Sequence, residues 1–426
     1  MNKYARYHAA VRYLESLGNT NAGYQKTDLK SHASPEMFLE RMQDFLDSLG
    51  NPEKGFKYVH ITGTAGKGSV ASAVHGVLTK AKKRAGLFTS PFTVSTIEKI
   101  QFDDKYIDPL IFADITEDMK PMIDKMILNG RHGCPSYFEM ILAIALIYFK
   151  REKCQYVVLE VGLGGRFDAT NVIKKPLITA ITNIGLDHTN ILGPRRVDIA
   201  IDKAGIIKKG CQFITTEEDR EILRIFQKTC RDVGAEYCPI SVNGLEYVTR
   251  NVLLAGYICN SLGIIDSPEK IDRPQPLPAR FEIMERRPLV VIDGAHNPSK
   301  FESTLLNLKL LKYDQLSLVI AISADKDWRT MIKMVSPMAR RICVTRFSVP
   351  GRQSADPKLL FKHVQKHADP RCKVSMHSDP VIAYRSARKG LRRADALLIV
   401  GSFYLAGDIR ALYCPESQIL QNRSSF

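Results

Sequence analysis

The sequence predicts an α/β protein: an N-terminal P-loop-like domain with a parallel sheet, followed by a C-terminal Rossmann-like α/β domain. Three observations lead there. Short aliphatic runs alternate with helix-period segments along most of the 426 residues, the order that builds parallel sheets. Those runs are apolar at consecutive positions, as strands covered by helices on both faces must be. A proline- and charge-rich stretch, DSPEKIDRPQPLPAR at 266–280, breaks the alternation once, after which it resumes. The expected domains are therefore 1–272 and 280–426, with a linker at about 266–280. A chain that is 45% hydrophobic and 25% charged can fill two cores of ordinary size.

In order, YVHIT at 58–62 reads as a strand, and VASAVHGVLTKAKK carries a helix on to about residue 83. A short strand follows at 85–89, a helix at 138–149 and a strand at 156–161. Strands at 177–183 and 212–215 enclose a helix near 197–207, and a further helix covers 220–233. Beyond the linker, strands are expected near 289–293, 316–321, 341–345 and 396–400 with helices between them, and no segment repeats another. The longest apolar run, 140–149, is bounded by Glu139 and Lys150 and falls far short of the ~20 residues a membrane helix needs.

Between the first strand and its helix lies GTAGKGS, 63–69. Gly63, Gly66 and Gly68 let the backbone turn tightly and bring N–H groups to an anion, and the new helix adds the positive end of its dipole. Lys67 can then reach terminal phosphates. The strict P-loop pattern is not met, because Ile61 stands at its first position and Gly68 separates Lys67 from the hydroxyl of Ser69. Taken alone, the loop also fits a glycine-rich turn with a solvated lysine.

A formal charge of +16 attracts anions, nucleic acid included. The basic clusters at Lys80, Lys82, Lys83 and Arg84, and at Arg388, Lys389, Arg392 and Arg393, have helical spacing without interleaved aromatics. They read as solvated helix faces, so no nucleic-acid partner is expected. The nine cysteines are scattered, with no C-x-x-C pair, and read as reduced cytosolic thiols. No charged leader with an apolar core opens the sequence, and a cytoplasmic protein without a membrane partner is expected.

Glu160 falls at the end of the strand YVVLEV and is followed by the turn GLGGRFDATN. A carboxylate there stands where open α/β sheets bind ligands, and a metal-binding role follows. A dinucleotide fingerprint would need glycine where Phe167 stands, which excludes NAD. The next strand ends in Asp187 and His188, a pair that fits a local hydrogen bond as well as a metal site. If the sheet is parallel, Lys67, Glu160 and His188 project into one crevice, suited to Mg²⁺ held by few protein ligands and by phosphate oxygens.

GTAGKGS, TSP at 89–91, EVGLGGRFDATN, GLDHTNILG, DKAGIIKKG, DGAHNP and GSFYLAGDIR occur in the order and spacing of the folylpolyglutamate synthase and dihydrofolate synthase family. The chain resembles that family over nearly its whole length. Its members group with the Mur ligases, which join an amino acid to a carboxylate at the expense of ATP. The resemblance implies a Mur-ligase-type ATP-binding domain and a glutamate-ligase-type C-terminal domain. It also implies an ATP-dependent ligase that adds L-glutamate to a reduced folate or to dihydropteroate through an acyl phosphate, acting as a monomer and favouring both acceptors. By the same resemblance, Gly63, Thr64, Gly66, Lys67, Gly68 and Ser69 would bind the ATP phosphates, and Ser90, Glu160 and His188 would hold two Mg²⁺ ions. Lys203, in DKAGI, matches the lysine carbamylated in the family, Arg280 would meet phosphate, Asp293 ribose, and Asn251 and His296 the nucleotide. Lys67, His188, Lys203 and Arg280 are the candidates for catalysis. Glu139 also matches a family position, as a water-mediated metal ligand or a structural hydrogen bonder.

Three positions depart from the family pattern: Ala65 replaces the usual bacterial Asn, Phe92 a common His, and Ala279 a glycine. Phe92 bears on how the pterin side of the substrate is held, because an imidazole donor gives way to an apolar ring. Two rivals stand beside the ligase. A GTPase switch usually carries an N-K-x-D segment, which is missing here. A nucleic-acid-stimulated ATPase would show salt-sensitive turnover.

Overall fold

The computed structural model describes residues 3–18, 35–271, 277–349 and 352–426. The middle of the expected linker, 272–276, lies outside the described residues.

The first half is built on strands β1 (Lys57–Thr62), β2 (Ala85–Phe88), β3 (Ile100–Phe102), β4 (Lys105–Tyr106), β5 (Tyr156–Glu160), β6 (Ile178–Ile181), β7 (Gln212–Thr215) and β8 (Glu236–Pro239). They form one sheet in the order β4-β3-β2-β5-β1-β6-β7-β8, with β2 to β8 parallel and β3 and β4 antiparallel at one edge. The second half supplies β9 (Glu282–Arg286), β10 (Leu289–Asp293), β11 (Leu316–Ile320), β12 (Arg341–Val344), β13 (Lys373–Met376) and β14 (Ala396–Val400). Their order is β13-β12-β11-β14-β10-β9, parallel except for β9. Two parallel-dominated sheets are what the alternating pattern requires.

Five strands escaped the sequence reading: β3, β4, β8, β9 and β13. Four of them, β4, β8, β9 and β13, are the edge strands of the two sheets, and β3 lies between β4 and β2. An edge strand is not buried on both faces, so it carries no continuous apolar run; β8 and β13, for example, have no fully buried residue. The central strands β2, β5, β6, β11 and β14 are buried at every position.

The helix expected at 138–149 spans Tyr137–Arg151 and opens with a capping box, in which Ser136 Oγ accepts from Glu139 N and the Glu139 carboxylate accepts from Ser136 N. The same carboxylate takes two hydrogen bonds from Arg41, at 2.9 and 3.1 Å, in a buried pair. Glu139 is thereby a structural residue that ties the helix Glu36–Ser48 to the helix behind it. The chain's last helix, Glu416–Asn422, returns to the first half: Ile419 and Leu420 enter its core, and Arg423 exchanges backbone and side-chain bonds with Tyr106 on β4.

Register places the site. Ile61 is opposite Glu160, and Thr62 is opposite Ile181, so the ends of β5 and β6 flank the point where β1 breaks into the glycine loop.

Candidate active site

The loop after β1 turns where only glycine is comfortable. Gly63 has φ +147°, and a Cβ there would stand 1.8 Å from Thr182 Oγ1. At Gly66, with φ +83°, a Cβ would meet Asn251 Oδ1 at 2.5 Å and Tyr247 Oη at 2.8 Å. A Cβ on Gly68 would lie 2.8 Å from Arg280 Nη2 and 3.1 Å from Glu160 Oε2. Asn251 and Arg280 thus sit directly on the loop, as does Glu160.

An account of the loop's amides shows which remain for a ligand. Thr64 N donates to Asn183 O at 2.9 Å and Ala65 N to Asn183 Oδ1 at 3.0 Å. The Thr64 hydroxyl donates to Gly185 O and accepts from Gly185 N. Thr64, expected among the phosphate-binding residues, therefore spends both polar groups on holding the loop to the end of β6. Helix Lys67–Lys80 begins next, and the amides of Lys67, Gly68 and Ser69 in its first turn have no carbonyl four residues back inside the helix. Lys67 folds back so that Nζ donates to Gly63 O at 2.9 Å. Burial lowers its pKa, against the pull of Glu160 and Asp187.

Glu160 is 2% exposed, and its Oε2 accepts from Ser90 N at 3.0 Å. Its Oε1 takes no hydrogen bond among the described residues. A buried carboxylate with one oxygen to spare, next to a hydroxyl and a phosphate loop, suits Mg²⁺ that completes its shell with phosphate and water. Among the described residues no group of three His, Cys, Asp or Glu could hold a metal by itself. His188 sits at the N-cap of a short helix with φ +50°. Burial pushes its imidazole down to about 3, with Asp187 opposing and Lys326 and Lys67 assisting, so the ring is neutral and able to bind a cation.

Lys203 is 3% exposed, with Nζ 3.4 Å from Gly164 O. Burial and then Lys67 bring its ammonium down to about 7. Across the cleft, Arg280 stands over the Phe403 ring at 5.1 Å, between Ala279 and Phe281, which both have positive φ. The family's glycine before this arginine has a physical reason: Ala279 adopts φ +54°. Asp293, at the end of β10, accepts from Ala295 N, Phe281 N and the Thr304 hydroxyl, and burial raises it to about 6. His296 Nδ1 donates to Gly294 O at 2.8 Å, leaving Nε2 as an acceptor for Lys300 Nζ at 3.1 Å. Phe92 faces Lys99, whose ammonium is 5.1 Å from its ring and 4.5 Å from that of Tyr137.

Several site residues were missed by sequence reasoning, Lys326 and Asn297 among them. Asp187, read from the sequence only as the neighbour of His188, pairs with Lys326 at 2.8 Å and accepts from Asn297 Nδ2 at 2.8 Å, joining the two halves of the chain. Burial opposes its charge, but Lys326 and Lys300 hold its carboxyl well below the usual range. The signal for Lys326 was present: it follows β11 at the carboxyl end of a parallel strand, where ligands gather. The supports Thr182, Asn183 and Gly185 carried none, because their role appears only in the loop's hydrogen bonds.

The family described as Mur ligase middle domain matches residues 61–238, and the Mur ligase glutamate ligase domain matches residues 279–403. The dihydrofolate synthase/folylpolyglutamate synthase of Bacillus subtilis (strain 168) is 30% identical over 413 residues, covering 87% of this chain and 94% of that protein. A Mycobacterium tuberculosis folylpolyglutamate synthase, solved with ADP and AMPPCP, superposes with a TM-score of 0.81 at 24% identity over 96% of this chain and 99% of that one. The bifunctional folylpolyglutamate synthase/dihydrofolate synthase of Yersinia pestis, solved with AMPPNP and Mn ion, gives a TM-score of 0.76 at 23% identity over 95% of this chain and 97% of that one.

Proposed function

As the chain belongs to the folylpolyglutamate synthase and dihydrofolate synthase family of Mur ligases, and is an ATP-dependent amide-bond-forming ligase that adds glutamate to folates, we propose how its cleft performs the reaction. The observation that carries this reading is the meeting of Arg280, from the second half, with Glu160 and the glycine loop at Gly68. The 1–272 portion presents phosphate-binding amides and Lys67, and the 280–426 portion brings Arg280, Asp293 and His296 to the same nucleotide, with Asn251 beside Gly66.

In this reading a substrate carboxylate oxygen bonds to the γ-phosphorus of ATP as the bond to the β,γ-bridging oxygen breaks, and ADP leaves. The amine of L-glutamate then attacks the acyl phosphate, and phosphate leaves from a tetrahedral intermediate. Lys67 and Arg280 draw the charge of the transferring group, where fixed electrostatics contributes most. Ser90, Glu160 and His188 would hold Mg²⁺, two ions in all, which when bound neutralise phosphate charge. The Yersinia pestis protein, solved with AMPPNP and Mn ion, supports a divalent cation beside the nucleotide here. Lys203 is the candidate for carbamylation: a lysine titrating near neutral pH offers a free amine to CO₂. Both dihydropteroate and reduced folates are proposed as acceptors, following the double activity named for the Bacillus subtilis relative. All the residues invoked come from one chain, as a monomer requires. No helix of the described residues is long and apolar enough to cross a membrane, and we take the enzyme to work in the cytoplasm without nucleic acid.

The test is phosphate release from ATP, Mg²⁺ and L-glutamate with dihydropteroate or tetrahydrofolate as acceptor. Release with both, lost in Lys67→Ala, is the expected result. Release with tetrahydrofolate alone would reduce the activity to polyglutamylation, and release indifferent to acceptor and glutamate would defeat the reading.

A further inference from the structure

We propose that Lys300 is a third cationic contact, beside Lys67 and Arg280, for the phosphoryl group transferred in this cleft. The inference rests on the phosphoryl-transfer reading above and adds a residue to it.

Lys300 is placed where a lysine is costly. It is the third residue of the helix Pro298–Lys309, whose N-cap Asn297 accepts from Lys300 N at 2.9 Å. The positive end of the helix dipole opposes a cation in that turn, where Asp or Glu is the favoured choice. Burial, and then Lys67, Arg280 and Lys326, depress its ammonium to about 7, with only Asp187 acting in its favour. Asp187 is not its partner, because that carboxylate already takes Lys326, Asn297 and the amide of His188.

The ammonium has three donors and uses one, toward His296 Nε2. The other two have no acceptor among the described residues. Ser299, one position earlier, brings its Oγ to within 3.8 Å of where a Cβ on Gly185 would be, and Gly185 is bonded to Thr64 of the glycine loop. The start of this helix therefore approaches the start of the loop helix, and Lys300 adds a compact charge to the space between them. Around Lys300 itself three cations, Lys67, Arg280 and Lys326, face one carboxylate, Asp187. A multiply charged anion balances that excess, and the transferring phosphoryl group, flanked by Lys67 and Arg280, is such an anion. Lysine serves as a movable point charge there, where a guanidinium would impose a planar geometry.

Initial-rate kinetics of Lys300→Ala and Lys300→Arg, with affinities for AMPPNP and ADP in the presence of Mg²⁺, test the assignment. Lys300→Met, which keeps the stem's packing, substitutes if the alanine variant does not fold. Expected for Lys300→Ala is a kcat about 10-fold lower, an acceptor KM within about two-fold, and a loss of AMPPNP affinity about five-fold larger than that of ADP. Lys300→Arg, which keeps the charge but not the compact ammonium, should regain part of the kcat. An unchanged kcat and AMPPNP-to-ADP ratio would overturn the proposal, and so would a loss confined to the KM for glutamate, which would move Lys300 to the amino-acid carboxylate. A wild-type protein without acceptor-dependent phosphate release would instead defeat the ligase reading, while the nucleotide affinities would still report on Lys300.

Discussion

A lysine held at 3% exposure with no carboxylate bonded to it is a destabilised cation unless its amine is put to use. Lys203 titrates near 7 because burial, and then Lys67, penalise the ammonium more than Asp202 and Asp187 support it. Near neutral pH much of it is free amine. Addition of CO₂ to the nitrogen lone pair forms an N–C bond and releases a proton, turning a destabilised cation into an oxygen-donor anion among cations. We expect enzyme stripped of CO₂ to lose most of its activity and to recover it with bicarbonate, and Lys203→Ala to lose about 100-fold with no response to bicarbonate. Equal rates for stripped and bicarbonate-supplied enzyme would sink the carbamate. Gly63 makes the opposite kind of demand, for absence of a side chain. Gly63→Ala puts a methyl group into Thr182 at a φ that alanine avoids, so ATP binding should fall about 10-fold or more while the far sheet stays folded. Calorimetry showing native ATP affinity in that variant would mean that the loop re-forms without its tie to β6.

Elements of the first sheet carry two imidazoles frozen in the neutral form. His60, on β1, has Nε2 2.8 Å from a Thr170 hydroxyl that is itself bonded to Asp168, and burial pushes it down to about 3. His75, on the helix Lys67–Lys80, bonds Ala85 O at 3.1 Å, and burial pushes it down to about 4. Both folded values lie below the unfolded value near 6.5, so below that pH the unfolded chain binds more protons. Their contribution is complete above about 6.5 and is lost as pH falls toward the folded values. Urea titrations should show stability falling from pH 6.5 to 4.5, by up to about 1.4 kcal/mol per pH unit for each histidine. His75→Gln should remove one proton from that slope, and an unchanged slope would show that His75 is not neutral when folded. At the same scale lies the limit of the sequence reading. Central strands were legible because burial on both faces forces an unbroken apolar run, whereas β8 and β13 carry mixed edges that read as loop. Glu139 was ambiguous for a related reason: its partner Arg41 is 98 residues away, and only packing brings the two together.

The whole molecule is held at its site by charge as well as by packing. The glycine loop, Glu160 and His188 could be read from the sequence because each marks the end of a strand in one sheet. The pairing of Asp187 with Lys326 could not, since it depends on how the second sheet faces the first. Both side chains of this pair are 11% exposed, and Asn297 adds a further bond to the same carboxylate. Removing one partner of so enclosed a pair typically costs ~3–5 kcal/mol, because the other charge is left uncompensated. That cost falls on the apposition of the halves, since Asp187 follows β6 of the first sheet and Lys326 follows β11 of the second. Lys326→Ala should therefore leave the urea midpoint of each sheet nearly unchanged, widen the radius of gyration in solution scattering, and lower kcat/KM for ATP about 10-fold or more. Saturating ATP analogue and acceptor should draw the variant back toward the wild-type radius, because Arg280 and Lys67 would still share the phosphates. If the variant scatters like wild type in the absence of ligand, the pairing is a consequence of the apposed halves and not one of its causes. The packing of the helix Glu416–Asn422 on the first sheet would then be the contact that holds them.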